Sequence, residues 1–134
     1  MAREGYKSNK NVVYSSKYPC VCTPKYRRSV LVGPIAKRCE QVMRQTAEKY
    51  RAAEIITLEI MPDHVHVLLE VDPQFGIHRL VKNLKGVSSH TLRQEFRTLK
   101  SRLPTLWTNS YFVSPVGGAP LAVIKQYVEN QKDV

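Results

Sequence analysis

Residues 54–71 read EIITLEIMPDHVHVLLEV, and this stretch decides the fold. In its first half, Ile56, Leu58 and Ile60 alternate with Ile55, Thr57 and Glu59, and this alternation predicts a strand over 54–61. The dipeptide Pro62-Asp63 is a turn signal, and the alternating stretch after it predicts a second strand over 64–71. The two strands are therefore predicted to pair as an antiparallel hairpin.

Side chains alternate between the two faces of a strand, so each predicted strand has two distinct sides. In the first strand the alternation sets Ile56, Leu58 and Ile60 against Ile55, Thr57 and Glu59. In the second it sets His64, His66, Leu68 and Glu70 against Val65, Val67, Leu69 and Val71. The four aliphatic residues of the second strand are expected to face helices.

His64 and His66 are the sharpest local feature of the chain, because they share the other face of the second strand. Two imidazoles about 7 Å apart along a strand can converge on one divalent metal ion. A histidine pair of this spacing is also common at structural or exposed positions. The spacing alone leaves both interpretations open.

Sequence on either side of the hairpin supplies the other elements of one domain, residues 1–134. Runs of strand-forming residues predict strands over 12–24 and 111–116. Apolar residues at helical spacing predict helices over 34–51, 77–99 and 119–132, and Pro34 stands at a favourable first position of the first of these. Residues 1–11 are predicted to be a loose basic arm. The order matches an α+β fold of the split β-α-β, ferredoxin-like (RRM-like) type, with helices on one sheet face and an additional C-terminal helix.

Composition restricts the class of protein. The chain has 134 residues, of which 43% are hydrophobic and 24% charged, as expected for a globular domain rather than a disordered or membrane protein. Its three cysteines include no CxxC pair, which argues against a disulfide framework or zinc ribbon and favours a reducing compartment. No apolar signal segment is evident, and we expect a cytoplasmic, nucleoid-associated protein.

Charge is segregated along the chain, with a formal net value of +10. Residues 1–52 carry twelve Lys and Arg against three acids, and residues 76–102 carry seven against one. Between them, residues 54–72 carry five acids and no Lys or Arg. Basic flanks around an acidic centre predict a phosphate-binding surface around a metal site, with nucleic acid as the partner.

The predicted C-terminal helix carries Tyr127 and Gln131, four residues apart and therefore on one helical face. A helical tyrosine usually belongs to a core or its boundary. Beside a metal ion, however, its phenolate form is favoured, and a phenolate can attack phosphorus covalently.

Together, the fold pattern, the basic charge, the stretch Met61-Pro62-Asp63-His64-Val65-His66 and the spacing Tyr127-x-x-x-Gln131 closely resemble the single-tyrosine HUH transposases. These are small transposases of prokaryotic insertion sequences that move as single-stranded DNA. The resemblance extends from about Tyr14 to Gln131.

The resemblance implies a role for each matching residue. His64, His66 and Gln131 would hold a divalent metal ion, Mg²⁺ or Mn²⁺, and Tyr127 would be the nucleophile that forms a 5′-phosphotyrosine link. Imidazole ligands suit Mn²⁺ better than Mg²⁺. The resemblance further implies a homodimer, in which the Tyr127 helix can complete the partner's active site, and recognition of DNA hairpins at the ends of the element.

Several other side chains are weaker candidates. Asp63 and Glu59 are candidates to orient a ligating histidine. Residues predicted to contact DNA phosphates are Lys82, Lys85, Arg93, Arg27 and Arg28. Gly117 and Gly118 are predicted to be a hinge that lets the Tyr127 helix move between cleavage and strand transfer, with an ordinary tight turn as the alternative.

Two competing functions remain open on the sequence alone. One is a non-catalytic nucleic-acid-binding relative on the same fold, for example a domesticated one. The other is a metal-dependent phosphoesterase that uses water instead of Tyr127.

Overall fold

The computed structural model describes residues 6–9, 11, 13–115, 121–132 and 134. Its strands are β1 (Lys7–Ser8), β2 (Val13–Tyr14), β3 (Lys17–Cys22), β4 (Ala53–Met61), β5 (His64–Val71) and β6 (Phe112–Val113). Its α-helices are α1 (Gly33–Glu48), α2 (Ile77–Glu95), α3 (Arg97–Arg102) and α4 (Leu121–Asn130).

Four strands form one antiparallel sheet in the order β4-β5-β3-β6, and β1 pairs with β2 in a separate ribbon. The predicted hairpin is β4 and β5, which pair from Ala53 with Val71 to Met61 with His64. Strand β3, which comes first of these four along the chain, lies between β5 and β6. This order is that of the split β-α-β fold, so the predicted α+β architecture is confirmed.

The core lies on one side of the sheet, which we call the closed face. Val65, Val67, Leu69 and Val71 point to this side and are all buried. Helices α1 and α2 pack against each other and cover it, with Leu80 and Met43 among their buried residues. The opposite side, which carries His64 and His66, we call the open face.

The predicted alternation of β4 is wrong for two residues, Ile55 and Ile56, whose sides are exchanged. The pairing with β5 runs from Ile55 opposite Leu69 directly to Thr57 opposite Leu68, which makes Ile56 the extra residue of a β-bulge. Ile56 is therefore exposed, whereas Ile55, Leu58 and Ile60 pack against the core. A bulge inserts one residue and so breaks the period of two.

The long helix predicted over 77–99 is divided. Phe96 has an extended backbone (φ −121°, ψ 98°), ends α2 and precedes α3. Its ring packs against the core. Phenylalanine is not a helix breaker, so this packing, rather than local propensity, accounts for the interruption.

The strands predicted over 12–24 and 111–116 are shorter in the structure. The first is divided into β2 and β3, and the second is reduced to β6 within the described residues. The loop before β6 belongs to the core: Trp107 is 3% exposed, and its Nε1 donates to Ser88 Oγ at 2.9 Å.

Helix α4 covers part of the open face. Val21 points to that face from β3 and is fully buried, beside Ile124 and Val128 of α4. The proposed hinge, Gly117 and Gly118, lies outside the described residues. Among the helices in the described ranges, none is long and apolar enough to span a membrane.

Candidate active site

His64 and His66 lie side by side on the open face, as predicted, and both are half-buried. Across the sheet His66 pairs with Val21 of β3, which in turn pairs with Phe112 of β6. The three residues form one row, so the open face is continuous from the histidines to β6.

A carboxylate lies beside each histidine. His64 Nδ1 donates to Asp63 Oδ1 at 2.9 Å, which leaves Nε2 as the lone-pair nitrogen. Glu59 is the cross-strand neighbour of His66 in the β4–β5 pairing and is exposed. Both acids weighed as orienting groups from the sequence therefore adjoin a histidine, Asp63 through a hydrogen bond and Glu59 by its register.

A cleft of about 400 Å³ separates the histidines from α4. Its lining consists of Val21, His64, His66, Ile124, Lys125, Val128 and Glu129. The helix thus presents one lysine, one glutamate and two aliphatic side chains to the histidines.

Tyr127 lies on another side of α4 and Gln131 directly follows the last residue of the helix, Asn130, so that the predicted helix ends before 132, and the two side chains share a partner. Ser110 Oγ is 3.0 Å from Tyr127 Oη and donates to Gln131 Oε1 at 3.2 Å. The Tyr127 ring packs on Phe112 with ring centroids 5.7 Å apart, and Gln131 is buried. Ser110 was not singled out from the sequence, because its two partners are 17 and 21 residues away along the chain.

The environment of Tyr127 disfavours ionisation in this arrangement. Burial raises the pKa of the Tyr127 phenol, and the hydrogen bond with Ser110 acts in the opposite direction. At neutral pH the hydroxyl therefore keeps its proton in this arrangement.

The structure thus brings the predicted residues together as two pairs, His64 with His66 and Tyr127 with Gln131. The histidine pair fits a divalent ion, because it offers neighbouring imidazoles with one ring held by a carboxylate. In this arrangement the side-chain oxygen of Gln131 is engaged by Ser110. Within the described part of the chain, no cluster of three or more His, Cys, Asp or Glu could hold a metal.

The residues predicted to bind DNA differ in how free they are. The Lys85 ammonium donates to the carbonyl oxygens of Thr108 (2.7 Å), Asn109 (3.0 Å) and Ser110 (3.3 Å), and burial lowers its pKa. Arg93 donates to the carbonyl of Leu103. Both side chains therefore hold the loop that follows α3.

Lys82 and Arg28 are exposed, whereas Arg27 is turned inward and forms ion pairs with Asp63 and Glu129. The side chains of Lys82 and Arg28 are therefore accessible to a phosphate, while that of Arg27 is engaged within the protein.

A basic cleft of about 520 Å³ lies between α2 and the loop before β6. Its lining includes two exposed residues that sequence reasoning did not select, Lys100 and His90, beside the cationic Lys85 and Arg93. Gly86 also lines this cleft, and a Cβ there would meet nothing within 4 Å. The signal for this surface was the basic segment as a whole rather than any motif.

Comparison with known proteins identifies the family. A family described as "Transposase IS200 like" matches residues 12–131. The ISDra2 transposase TnpA of Deinococcus radiodurans is 38% identical over 129 residues, which cover 95% of this chain and 91% of that relative. The transposase for insertion sequence element IS200 of Salmonella typhimurium is 32% identical over 127 residues, covering 93% and 82%.

Solved structures agree with this relationship. The crystal structure of a candidate transposase from Deinococcus radiodurans R1 superposes with a TM-score of 0.82 at 35% identity, covering 96% of this chain and 99% of that one. The resemblance noted from the histidine and tyrosine motifs is confirmed at the level of the family. The chain belongs to the IS200-like transposases.

Proposed function

We propose that this protein cleaves and rejoins single-stranded DNA at insertion-sequence ends, with Tyr127 as the nucleophile. His64, His66 and Gln131 would hold Mg²⁺ or Mn²⁺. The observation that carries the proposal is the open face itself: two neighbouring histidines, one fixed by Asp63, lie under the helix that bears Tyr127.

The chemistry balances without an external energy source. Tyr127 Oη gives up its proton as it attacks the scissile phosphorus, the bond from phosphorus to the 3′ oxygen breaks, and that oxygen takes up a proton and leaves as a 3′-hydroxyl. A 3′-hydroxyl from another end then attacks the phosphotyrosine and releases Tyr127. A bound metal ion would polarise the phosphate and stabilise the leaving oxygen.

Tyr127 has to leave Ser110 before it can react, because its hydroxyl and Gln131 are both engaged there. The proposal includes a homodimer in which α4 of one subunit completes the histidine pair of the other, as the resemblance to the family implies. Movement about Gly117 and Gly118 remains part of the same proposal.

The DNA partner is supported by charge. A net charge of +10 and the cleft around Lys100 and His90 suit the phosphates of a hairpin at the element end, with the protein acting in the cytoplasm at nucleoid DNA. Lys100→Ala should lower the slope of log affinity against log salt by about one. Lys37→Ala, which removes an exposed charge from α1, should leave that slope unchanged.

The decisive experiment incubates the protein with Mn²⁺ and single-stranded DNA carrying the element end. We expect a covalent adduct that survives denaturant, that is lost in Tyr127→Phe and that persists in Tyr26→Phe. Tyr26 is a matched control because it is 41% exposed and the change likewise removes one hydroxyl.

The outcomes separate the competing functions. Cleavage that persists in Tyr127→Phe would indicate a phosphoesterase that uses water. Hairpin binding without cleavage by the wild-type protein would indicate a non-catalytic binding protein.

Mixing two inactive variants tests whether the tyrosine acts between subunits. Tyr127→Phe and a double His64→Ala, His66→Ala variant are each expected to be inactive. If the tyrosine acts in trans, mixed dimers regain an intact site and adduct formation returns. Failure of mixed dimers to form the adduct, with exchange of subunits verified, would assign Tyr127 to the histidines of its own chain.

A further inference from the structure

Arg27 lies where three parts of the chain meet: the turn after β3, the β4–β5 turn and the end of α4. Its side chain is only 16% exposed. Its Nε is 3.5 Å from Asp63 Oδ2, and its Nη1 is 3.4 Å from Glu129 Oε2 and 3.5 Å from the carbonyl oxygen of Val128. One guanidinium therefore contacts both the hairpin and the helix.

The backbone is bent to direct this side chain inward. Tyr26 and Arg27 have positive φ angles of 59° and 50°, the left-handed region that residues with a Cβ rarely adopt. Such residues are strained and persist only where the surrounding structure holds them in place. Hydrogen bonds of 2.8 Å from Arg27 N to Pro24 O and from Tyr26 N to Val134 O hold this turn.

Asp63 transmits the position of Arg27 to His64. One carboxylate oxygen, Oδ2, faces Arg27, while the other, Oδ1, accepts the hydrogen bond from His64 Nδ1. A carboxylate with a partner at each oxygen cannot rotate freely, so it holds the imidazole ring with Nδ1 toward Asp63 and leaves Nε2 as the nitrogen that can bind a metal.

We propose that Arg27 is a positioning residue: it fixes Asp63, and through it the tautomer and orientation of His64, while it also holds the end of α4. The metal-binding part of this role rests on the function proposed above. The tautomer of His64 does not, because it is a property of the metal-free protein.

A direct phosphate contact is the competing role for Arg27. Its donors face acceptors of the protein itself, whereas the neighbouring Arg28 is exposed. Arg28 is therefore the matched control, because Arg28→Gln removes one positive charge from the same segment without touching Asp63.

The test is ¹⁵N NMR of the histidine rings in the metal-free full chain, at a pH where the rings are neutral. In the wild type and in Arg28→Gln we expect His64 to carry its proton on Nδ1. In Arg27→Gln we expect a measurable population with the proton on Nε2. An unchanged His64 signal in a folded Arg27→Gln protein would overturn the proposal.

Arg27→Lys provides a second variant. Lysine keeps the charge but lacks the planar group that meets two partners at once. We expect Arg27→Lys to shift the His64 tautomer in the same direction as Arg27→Gln, although less. If Arg27→Gln does not fold, this variant carries the test alone, and an unchanged signal in it also contradicts the proposal.

Metal affinity supplies the second readout. The Kd for Mn²⁺ should rise about tenfold in Arg27→Gln, which is within the range seen when partners of metal-binding histidines are removed. In Arg28→Gln the Kd should stay constant. If the wild-type protein neither binds Mn²⁺ nor forms the tyrosine adduct, the proposed function fails. The His64 tautomer still decides the role of Arg27 in that case.

Discussion

The two faces of the sheet are held by different forces. On the closed face Val65, Val67 and Leu69 are buried against two long helices in an apolar core. On the open face α4 is held by polar contacts, to Ser110 and Arg27, and by the packing of the Tyr127 ring on Phe112, around a cleft that contains the histidines. The stability of the fold is thus concentrated on one face and the candidate chemistry on the other.

This difference separates two kinds of mutation. Apolar burial is non-directional and large in sum, so the closed face tolerates no loss of volume without a cost in stability. Hydrogen bonds at a partly solvated helix contribute little net free energy, so α4 can be released at small cost.

His66→Ala should abolish activity without unfolding the protein. We expect DNA cleavage to fall more than about a hundredfold. Removing merely the hydrogen-bond partner of a metal-binding histidine can lower activity by up to that factor, and His66→Ala removes the histidine itself. The melting temperature should change little, because His66 lies outside the closed-face core. His78→Ala is the control, because His78 is an exposed residue of α2. Equal losses of cleavage in both variants would contradict the assignment of His66.

Leu69→Ala should show the reverse behaviour. Leu69 is fully buried on the closed face, so its truncation should lower the free energy of unfolding by about 2–5 kcal/mol. Urea denaturation followed by circular dichroism measures this. Val123→Ala on α4 should change it by less than about 0.5 kcal/mol, because Val123 is 46% exposed. Similar values for the two variants would mean that the faces do not differ in this way.

Ser110→Ala should loosen α4 alone. The change removes the partner of both Tyr127 and Gln131, which should lower the local stability of the helix by about 1 kcal/mol. Hydrogen exchange measured by mass spectrometry should then be about fivefold faster in α4. Exchange in β5 should stay unchanged, and a faster exchange there as well would argue against independent release.

The titration of Tyr127 tests the smallest effect. Because burial raises its pKa, the difference in absorbance between the wild type and Tyr127→Phe should show a midpoint above 10. The sign follows from linkage: the folded state favours the protonated phenol, so its contribution to stability is complete below the unfolded value of about 10 and is lost as pH rises through the folded pKa. A midpoint below 10 in the metal-free protein would contradict the burial seen for this ring.

The sequence predicted the features that depend on local periodicity. A period of two along β5 placed His64 and His66 together and set the valines against the core, and both placements agree with the structure. Spacing of four placed Tyr127 and Gln131 on one side of a helix, where they meet the same serine.

The features that the sequence did not reveal depend on distant parts of the chain. The bulge at Ile56 and the interruption at Phe96 arise from packing that no local pattern encodes. The inward turn of Arg27 carries no glycine or asparagine to signal its positive φ. Charge counting therefore treated Arg27 and Lys85 as surface cations, whereas folding gives both of them acceptors within the protein.

The buried tryptophan has a practical consequence for anyone who studies this protein by spectroscopy. Trp107 is the sole tryptophan of the chain, and its indole lies in the core, where its nitrogen donates a hydrogen bond to Ser88. Its emission should therefore be blue-shifted and should report the loss of the core. Movements of α4 on the other face of the sheet should leave this tryptophan emission unchanged, so a second fluorophore would have to be introduced on the helix to follow them by fluorescence.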